Sequence, residues 1–249
     1  MEQIVHFNAY FKQKLDATGK LGFSPQVKMT ATMRMLAYGT AADFNDDYLK
    51  IAETTSFEAC KRFCHAVNNL YETEYLHKPK RADLQKLIQK AEERGFPDML
   101  GSLDCMHWEW KNCLMSHHGA YTGHHGRPTI ILEAVASYDT WIWHANFRMP
   151  GGRQHQLFFR MKEAYHKDAE KAFGNFQAHF ADVPRPARQW YGEDILEVLK
   201  TCIILHNMII EDERDQDGIT PAKDTPYHVE EALVPHERGS RNIQLESIN

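Results

Sequence analysis

The sequence predicts an α+β protein, with a helical first third followed by a short antiparallel sheet flanked by helices. Three observations carry this. Apolar residues recur at helical spacing as far as about residue 96. Two β-rich runs, Thr129-Ile-Ile-Leu-Glu-Ala-Val-Ala136 and Trp141-Ile-Trp-His-Ala-Asn-Phe147, flank the turn-forming Ser137-Tyr-Asp-Thr140. Amphipathic runs return after the break at Pro150-Gly151-Gly152.

In chain order, the first helix with a clear stripe runs from Val27 to Tyr38, with Val27, Ala31, Met35 and Tyr38 on one face and Gly39 as its stop. A short helix over Asp46 to Ala52 follows. Thr54 or Thr55 is the expected cap of a third, whose apolar stripe is Phe57, Cys60, Phe63, Cys64, Val67, Leu70 and Tyr71. Pro79 closes that unit, and Arg81 to Arg94 forms a fourth helix before Gly95-Phe96-Pro97. Beyond it, Leu100 to Met106 reads as a strand and Asn112 to Arg127 as a polar, His-rich loop. A long helix from Gln154 to Phe180 presents Leu157, Met161, Ala169, Phe173, Phe176 and Phe180. The last helix, Asp194 to Glu211, uses Ile195, Val198, Leu199, Cys202, Leu205 and Ile209. These breaks divide the chain into a helical region (1–96), an α+β region (97–214) and a tail (215–249).

Composition narrows the class. The 249 residues are 43% hydrophobic and 25% charged, as in ordinary globular chains. No apolar run approaches the ~18–20 residues of a membrane span, so no membrane association is expected. Five cysteines form no CxxC pair, which fits a reducing compartment. The net charge of −5 is uneven: residues 211–249 carry ten Asp/Glu against four Lys/Arg, leaving the body near neutral. The tail has no apolar period and is expected to be disordered. Nothing in the charge alone argues for nucleic acid.

Several constellations could carry chemistry. Cys105, His107, Cys113, His117, His118, His124 and His125 crowd one stretch, but their spacings do not match paired zinc signatures. A core Cys105 fits better. Trp108, Trp110, Trp141 and Trp143 alternate along two strands, which suits sheet packing better than base stacking. The helix from Thr54 to Tyr71 could be the recognition helix of a helix-turn-helix, offering Lys61, Arg62 and His65 to DNA; an ordinary bundle is the competing reading. Lys78, Lys80, Arg81, Lys86, Lys90 and Arg94 make a basic stripe diluted by Asp83, Glu92 and Glu93. Asp104 ends an apolar strand, and Glu170 lies in the helical run His166-Lys-Asp-Ala-Glu-Lys-Ala-Phe-Gly-Asn-Phe-Gln177. Asp168 and Glu170, two apart on a helix, cannot serve one site, so Asp168 is expected at the surface.

Gly101-Ser-Leu-Asp-Cys-Met-His-Trp-Glu-Trp-Lys-Asn-Cys113, Tyr121-Thr-Gly-His-His125, Pro128-Thr-Ile-Ile-Leu-Glu-Ala-Val-Ala-Ser137, Lys167-Asp-Ala-Glu-Lys-Ala-Phe-Gly-Asn-Phe-Gln177 and Cys202-Ile-Ile-Leu-His-Asn-Met-Ile-Ile-Glu-Asp-Glu-Arg214 closely resemble plant transposon proteins of the Harbinger type. The resemblance covers roughly residues 21–214. It implies an RNase H-like fold of the DDE superfamily, a nuclear protein that meets DNA, and two Asp and one Glu holding Mg²⁺ or Mn²⁺. Hard cations take oxygen donors of this kind. Asp104 matches the first Asp and Glu170 the Glu, as catalytic residues and metal ligands.

The second Asp has no counterpart. In such proteins it follows the third strand on a later one, whereas here Met149-Pro-Gly151 runs directly into Gly152-Arg-Gln-His-Gln-Leu-Phe158. Several tens of residues are missing, and Asp139, in the turn, is misplaced for the role. The expectation is a truncated RNase H-like domain with a three-stranded remnant sheet, no catalysis and weak or lost metal binding. The first strand would then keep a bare edge, poorly stable or covered by a protein partner or a second copy. A repurposed, non-catalytic DNA- or chromatin-associated protein is the alternative.

Overall fold

The computed structural model describes residues 1–15, 17–97, 99–123, 126–148 and 167–217, the last three without their side chains. The expected helix start at Gln154, with Leu157 and Met161, lies outside these residues, as do His124, His125, the junction at Gly151 and the tail beyond 217.

Eight α-helices and one sheet make up the described chain. The helices are α1 (Glu2–Phe7), α2 (Pro25–Tyr38), α3 (Phe44–Leu49), α4 (Glu53–Tyr75), α5 (Arg81–Glu93), α6 (Met115–Tyr121), α7 (Lys167–His179) and α8 (Gly192–Asp217). The strands β1 (Ser102–Glu109), β2 (Thr129–Ala136) and β3 (Ile142–Arg148) pair antiparallel in the order β1-β2-β3. The class is α+β, as the sequence pattern predicts, with an open, meandering sheet.

Local chemistry explains most boundaries. The Ser24 side chain accepts from Val27 N–H and Pro25 sits in the first turn of α2. Gly39 ends that helix at φ +57°, and a Cβ there would lie 2.8 Å from the Ala181 carbonyl oxygen. The last carbonyls of α2 are met from far along the chain: Ala181 N–H donates to Ala37 and Asp182 N–H to Leu36, and Arg185 reaches Gly39. The expected threonine cap of α4 is not used; the helix starts earlier, after Ala52, with no side-chain cap. Phe57, assigned to its apolar stripe, is instead half out in solvent, while Cys60, Phe63, Cys64 and Val67 are buried. The loop expected over Asn112 to Arg127 contains α6, whose polar sequence carries no apolar stripe to announce it.

One hydrophobic cluster is continuous across residue 96. Phe11, Leu36, Phe63 and Val67 from the helical region share it with Met106, Trp108, Leu132, Phe176, Leu199 and Ile203. Helix α8 lies at its centre, against α4 on one side and β3 on another. Its buried positions go almost all round, including Thr201, His206 and Asn207 as well as the predicted Ile195, Val198, Leu199 and Cys202.

The edge of β1 away from β2 is not wholly bare. At its far end Ala187 N–H donates to the Glu109 carbonyl (2.7 Å) and Lys111 N–H donates to the Ala187 carbonyl (2.9 Å), a short parallel bridge. The expectation of an open first strand is corrected there. Its physical cause is the proline-bounded segment after α7, which runs along that edge.

Candidate functional site

Asp104 faces the core side of the sheet. It stands opposite Ala134, between the rungs Ser102–Ala136 and Met106–Leu132, all on the same side of the pleat. Its carboxylate accepts the N–H of Cys105 at 2.7 Å. Helix α7 covers this side, burying Ala169, Ala172, Phe173 and Phe176 as the amphipathic pattern predicts. Gln177 of α7 donates to the sulfur of Met106 at 3.1 Å. Seven residues earlier, two helical turns, Glu170 occupies the same flank of α7 and is exposed. Glu170 thus lies on a flank of the helix that covers the Asp104 side of the sheet.

Asp168 is not at the surface. It is buried, and Arg94 clasps it with both terminal nitrogens, at 2.8 and 2.9 Å. The two-residue offset does turn Asp168 and Glu170 apart, but Asp168 is the one turned inward, to the guanidinium that closes α5. This pair fixes the described start of α7 beside Gly101, at the entry to β1; Arg94, Gly101, Tyr138 and Asp168 line a common small cavity. The positioning role was not visible in the local sequence, because Arg94 reads as one more cation of a solvated stripe.

The residues proposed to meet DNA are tied into the protein's own surface. Lys61 pairs with Asp194 at 2.8 Å and His65 with Glu197 at 3.3 Å, both across the α4–α8 seam. Arg62 pairs with Glu58 one turn back and lies over the Tyr10 ring, 4.8 Å from its centroid. Glu72 and Lys200 (2.9 Å) continue the same seam.

The four tryptophans of the sheet resolve as packing. Trp108, Trp110, Trp141 and Trp143 are buried; the first two donate to the Arg185 and Gln189 carbonyls and Trp143 to Ser137 Oγ. Cys105 is half-buried rather than core, on the opposite side of β1 from Asp104. Among the described residues, no three His, Cys, Asp or Glu side chains are placed to hold a metal ion.

Two ionisable groups, buried His206 and half-buried Asp182, escaped the sequence reading. His206 Nε2 is 2.9 Å from the Thr140 carbonyl, which can only accept, so that nitrogen carries the proton. Its Nδ1 then accepts from His179 Nδ1, 3.1 Å away. Burial is the main cause that lowers the His206 pKa to about 4, against the Thr140 bond that favours the charged form. Burial also pushes Asp182 up to about 6, with Arg185 and Arg188 opposing. The two work in opposite directions. Below pH 6.5 the unfolded chain takes a proton that folded His206 refuses, so stability falls as pH drops towards 4. Folded Asp182 takes its proton first, so its contribution rises as pH drops through 6. Asp182→Asn should therefore be more stable than wild type at pH 7 by up to about 3 kcal/mol, an advantage lost by about pH 4. Urea unfolding of both proteins at pH 7, 5.5 and 4 measures the difference; parallel profiles would contradict the assignment.

The architecture is α+β, with helix α7, which carries Glu170, packed on the face of the sheet that carries Asp104. The chain belongs to the plant transposon protein family, whose model matches residues 73–154 and, separately, residues 146–217. Together these stretches cover more than half of the chain, and they meet at the Met149–Gly152 junction. No curated protein and no solved structure matches it. No described helix is long and apolar enough to cross a membrane.

Proposed function

We propose that the chain is a Harbinger-type, DDE-superfamily derivative of a DNA transposase that no longer cuts DNA. The observation that carries this reading is the family match in two stretches meeting at residues 146–154. An uninterrupted family member would align through, and on the Harbinger resemblance the second Asp belongs to the stretch between the two matches. Asp104 on β1 and Glu170 on α7 fit the first and third corners by element and by face. Two carboxylates can hold one hydrated Mg²⁺ or Mn²⁺ weakly. Two-metal phosphoryl chemistry needs ions roughly 3.5–4 Å apart with a shared ligand, and that ligand is the one lost.

A second reading, a retained non-catalytic DNA- or chromatin-associated protein of the nucleus, gains support from the continuous core. The apolar cluster from Phe11 to Ile204 closes without the lost segment, so the remnant can persist as a folded protein. Lys61, Arg62 and His65 are its first candidate DNA contacts, although each has a carboxylate beside it that reduces its pull on phosphate.

The test is nicking of supercoiled plasmid in Mg²⁺ or Mn²⁺ by wild type, Asp104→Ala and Glu170→Ala. No metal-dependent cutting is expected from any of the three. Cutting by wild type that both substitutions abolish would overturn the inactive reading, and would mean that a second copy or a partner completes the site.

A further inference from the structure

We propose that residues 185–191 form a platform for unpaired bases of a single-stranded polynucleotide. The proposal rests on the DNA-associated reading above and assigns it a surface.

Five hydrogen bonds fix the backbone of this segment. Trp108 Nε1–H donates to the Arg185 carbonyl, Trp110 Nε1–H to that of Gln189 (2.8 Å) and the Asn112 amide to that of Arg188. Ala187 N–H donates to Glu109, and the Ala187 carbonyl accepts from Lys111. Immediately afterwards Gly192 opens α8 against the Trp110 ring; a Cβ there would meet that ring at 3.4 Å. Trp190 and Tyr191 sit between these two fixed points.

Their rings nevertheless stand in solvent, at 61% and 64% exposure, while the other four tryptophans are at 8% or less. A hydrogen-bonded backbone frame carrying two adjacent exposed rings has already met the ordering cost that stacking a base would otherwise require. The flanking charge suits phosphate. Arg188 and Lys111 are exposed on this segment and on the strand end it pairs with. The nearby acids Glu109 and Asp194 are neutralised by Arg127 and Lys61, and Asp182 lies in the field of Arg185 and Arg188, leaving Glu193 as the exposed acid. Rings that stack on any base, beside cations that follow the backbone, are how single strands are held without sequence preference. Paired bases keep their faces inside the duplex, so a stacking platform favours the single strand.

The full-length protein is titrated into fluorescein-labelled oligo-dT and oligo-rU of ~15 nucleotides and into a duplex of equal length, followed by anisotropy. Single strands should bind roughly tenfold more tightly than the duplex, and the two oligonucleotides separate a DNA from an RNA preference. Trp190 is the one exposed tryptophan, so its fluorescence should be quenched on binding. Trp190→Ala and Tyr191→Ala should each weaken binding about tenfold, with Trp190→Phe retaining most of it. Arg188→Ala should lower the slope of log affinity against log salt by about 0.7. These positions are exposed, so thermal melts should superpose on wild type. Lys61→Ala/Arg62→Ala should change affinity less than twofold. Binding unaltered by Trp190→Ala/Tyr191→Ala, or a duplex bound more tightly, would overturn the platform while leaving the DNA-associated reading in place. No binding to any of the three probes would remove both.

Discussion

Replacing Asn207 by Leu is expected to destabilise the fold by roughly 3–6 kcal/mol, the largest effect of any single substitution discussed above. Asn207 is fully buried on α8 and acts as a surrogate strand neighbour for β3. Its Oδ1 accepts the Ile142 N–H (2.9 Å), while its amide donates to the carbonyls of Ile142 (2.8 Å) and Tyr75 (2.6 Å). Leu keeps the branching and heavy-atom count of Asn, with somewhat more bulk, but leaves three backbone groups without this partner, the two on Ile142 fully buried. Each such group costs about 1–3 kcal/mol, against the 5–15 kcal/mol that holds a typical domain together. The same side chain joins β3 to the end of α4, so its loss should also loosen the sheet from the helical region. Equilibrium urea unfolding reads the effect. A loss below about 1 kcal/mol would show that water reaches those three groups and that the bridge is not needed.

Breaking the Arg94–Asp168 clasp comes next, and its two halves should not be equal. Asp168 is 10% exposed at the side chain and Arg94 22%. Arg94→Ala strands a carboxylate in the core margin and should cost about 2–3 kcal/mol, below the full value for a deeply buried pair because both ends touch solvent. Asp168→Ala leaves a guanidinium that can swing outward and should cost about half as much. Replacing both with apolar residues, Arg94→Met with Asp168→Leu, should recover stability to within about 1 kcal/mol of wild type. Equal losses from the two single substitutions would mean that the pair is wetter than its geometry indicates. Because the clasp sets the described start of α7, Arg94→Ala should also free the helix that carries Glu170.

Much of this was legible in the sequence because local pattern and tertiary role agree. The β-rich run Thr129–Ala136 and the turn at Ser137–Thr140 pointed to the hairpin. Phe173 and Phe176 gave the face by which α7 meets the sheet, and the motif around Asp104 placed it on β1. What stayed hidden depends on partners far along the chain. Asp168 is inward only because Arg94, in another helix, can reach it. Asn207 and His206 looked like polar interruptions of an apolar helix until Ile142 and Thr140 supplied their backbone partners. Lys61 looked available to DNA because Asp194, on α8, lies far from it in sequence. Trp190 and Tyr191 were overlooked because two aromatics after a proline pair carry no periodic signal. Their exposure follows from the backbone being held by β1.

On the proposed reading, Asp104 and Glu170 are two corners of a site whose third is gone. Counting the bound cations tests it most directly. Mn²⁺ titrated into the full-length protein, followed by isothermal calorimetry and by the electron paramagnetic resonance of free ion, should show at most one weakly held ion per chain. Its signal should vanish in both Asp104→Ala and Glu170→Ala. Two ions held tightly by wild type, and lost together in either variant, would contradict the account, because only a third ligand could hold the second.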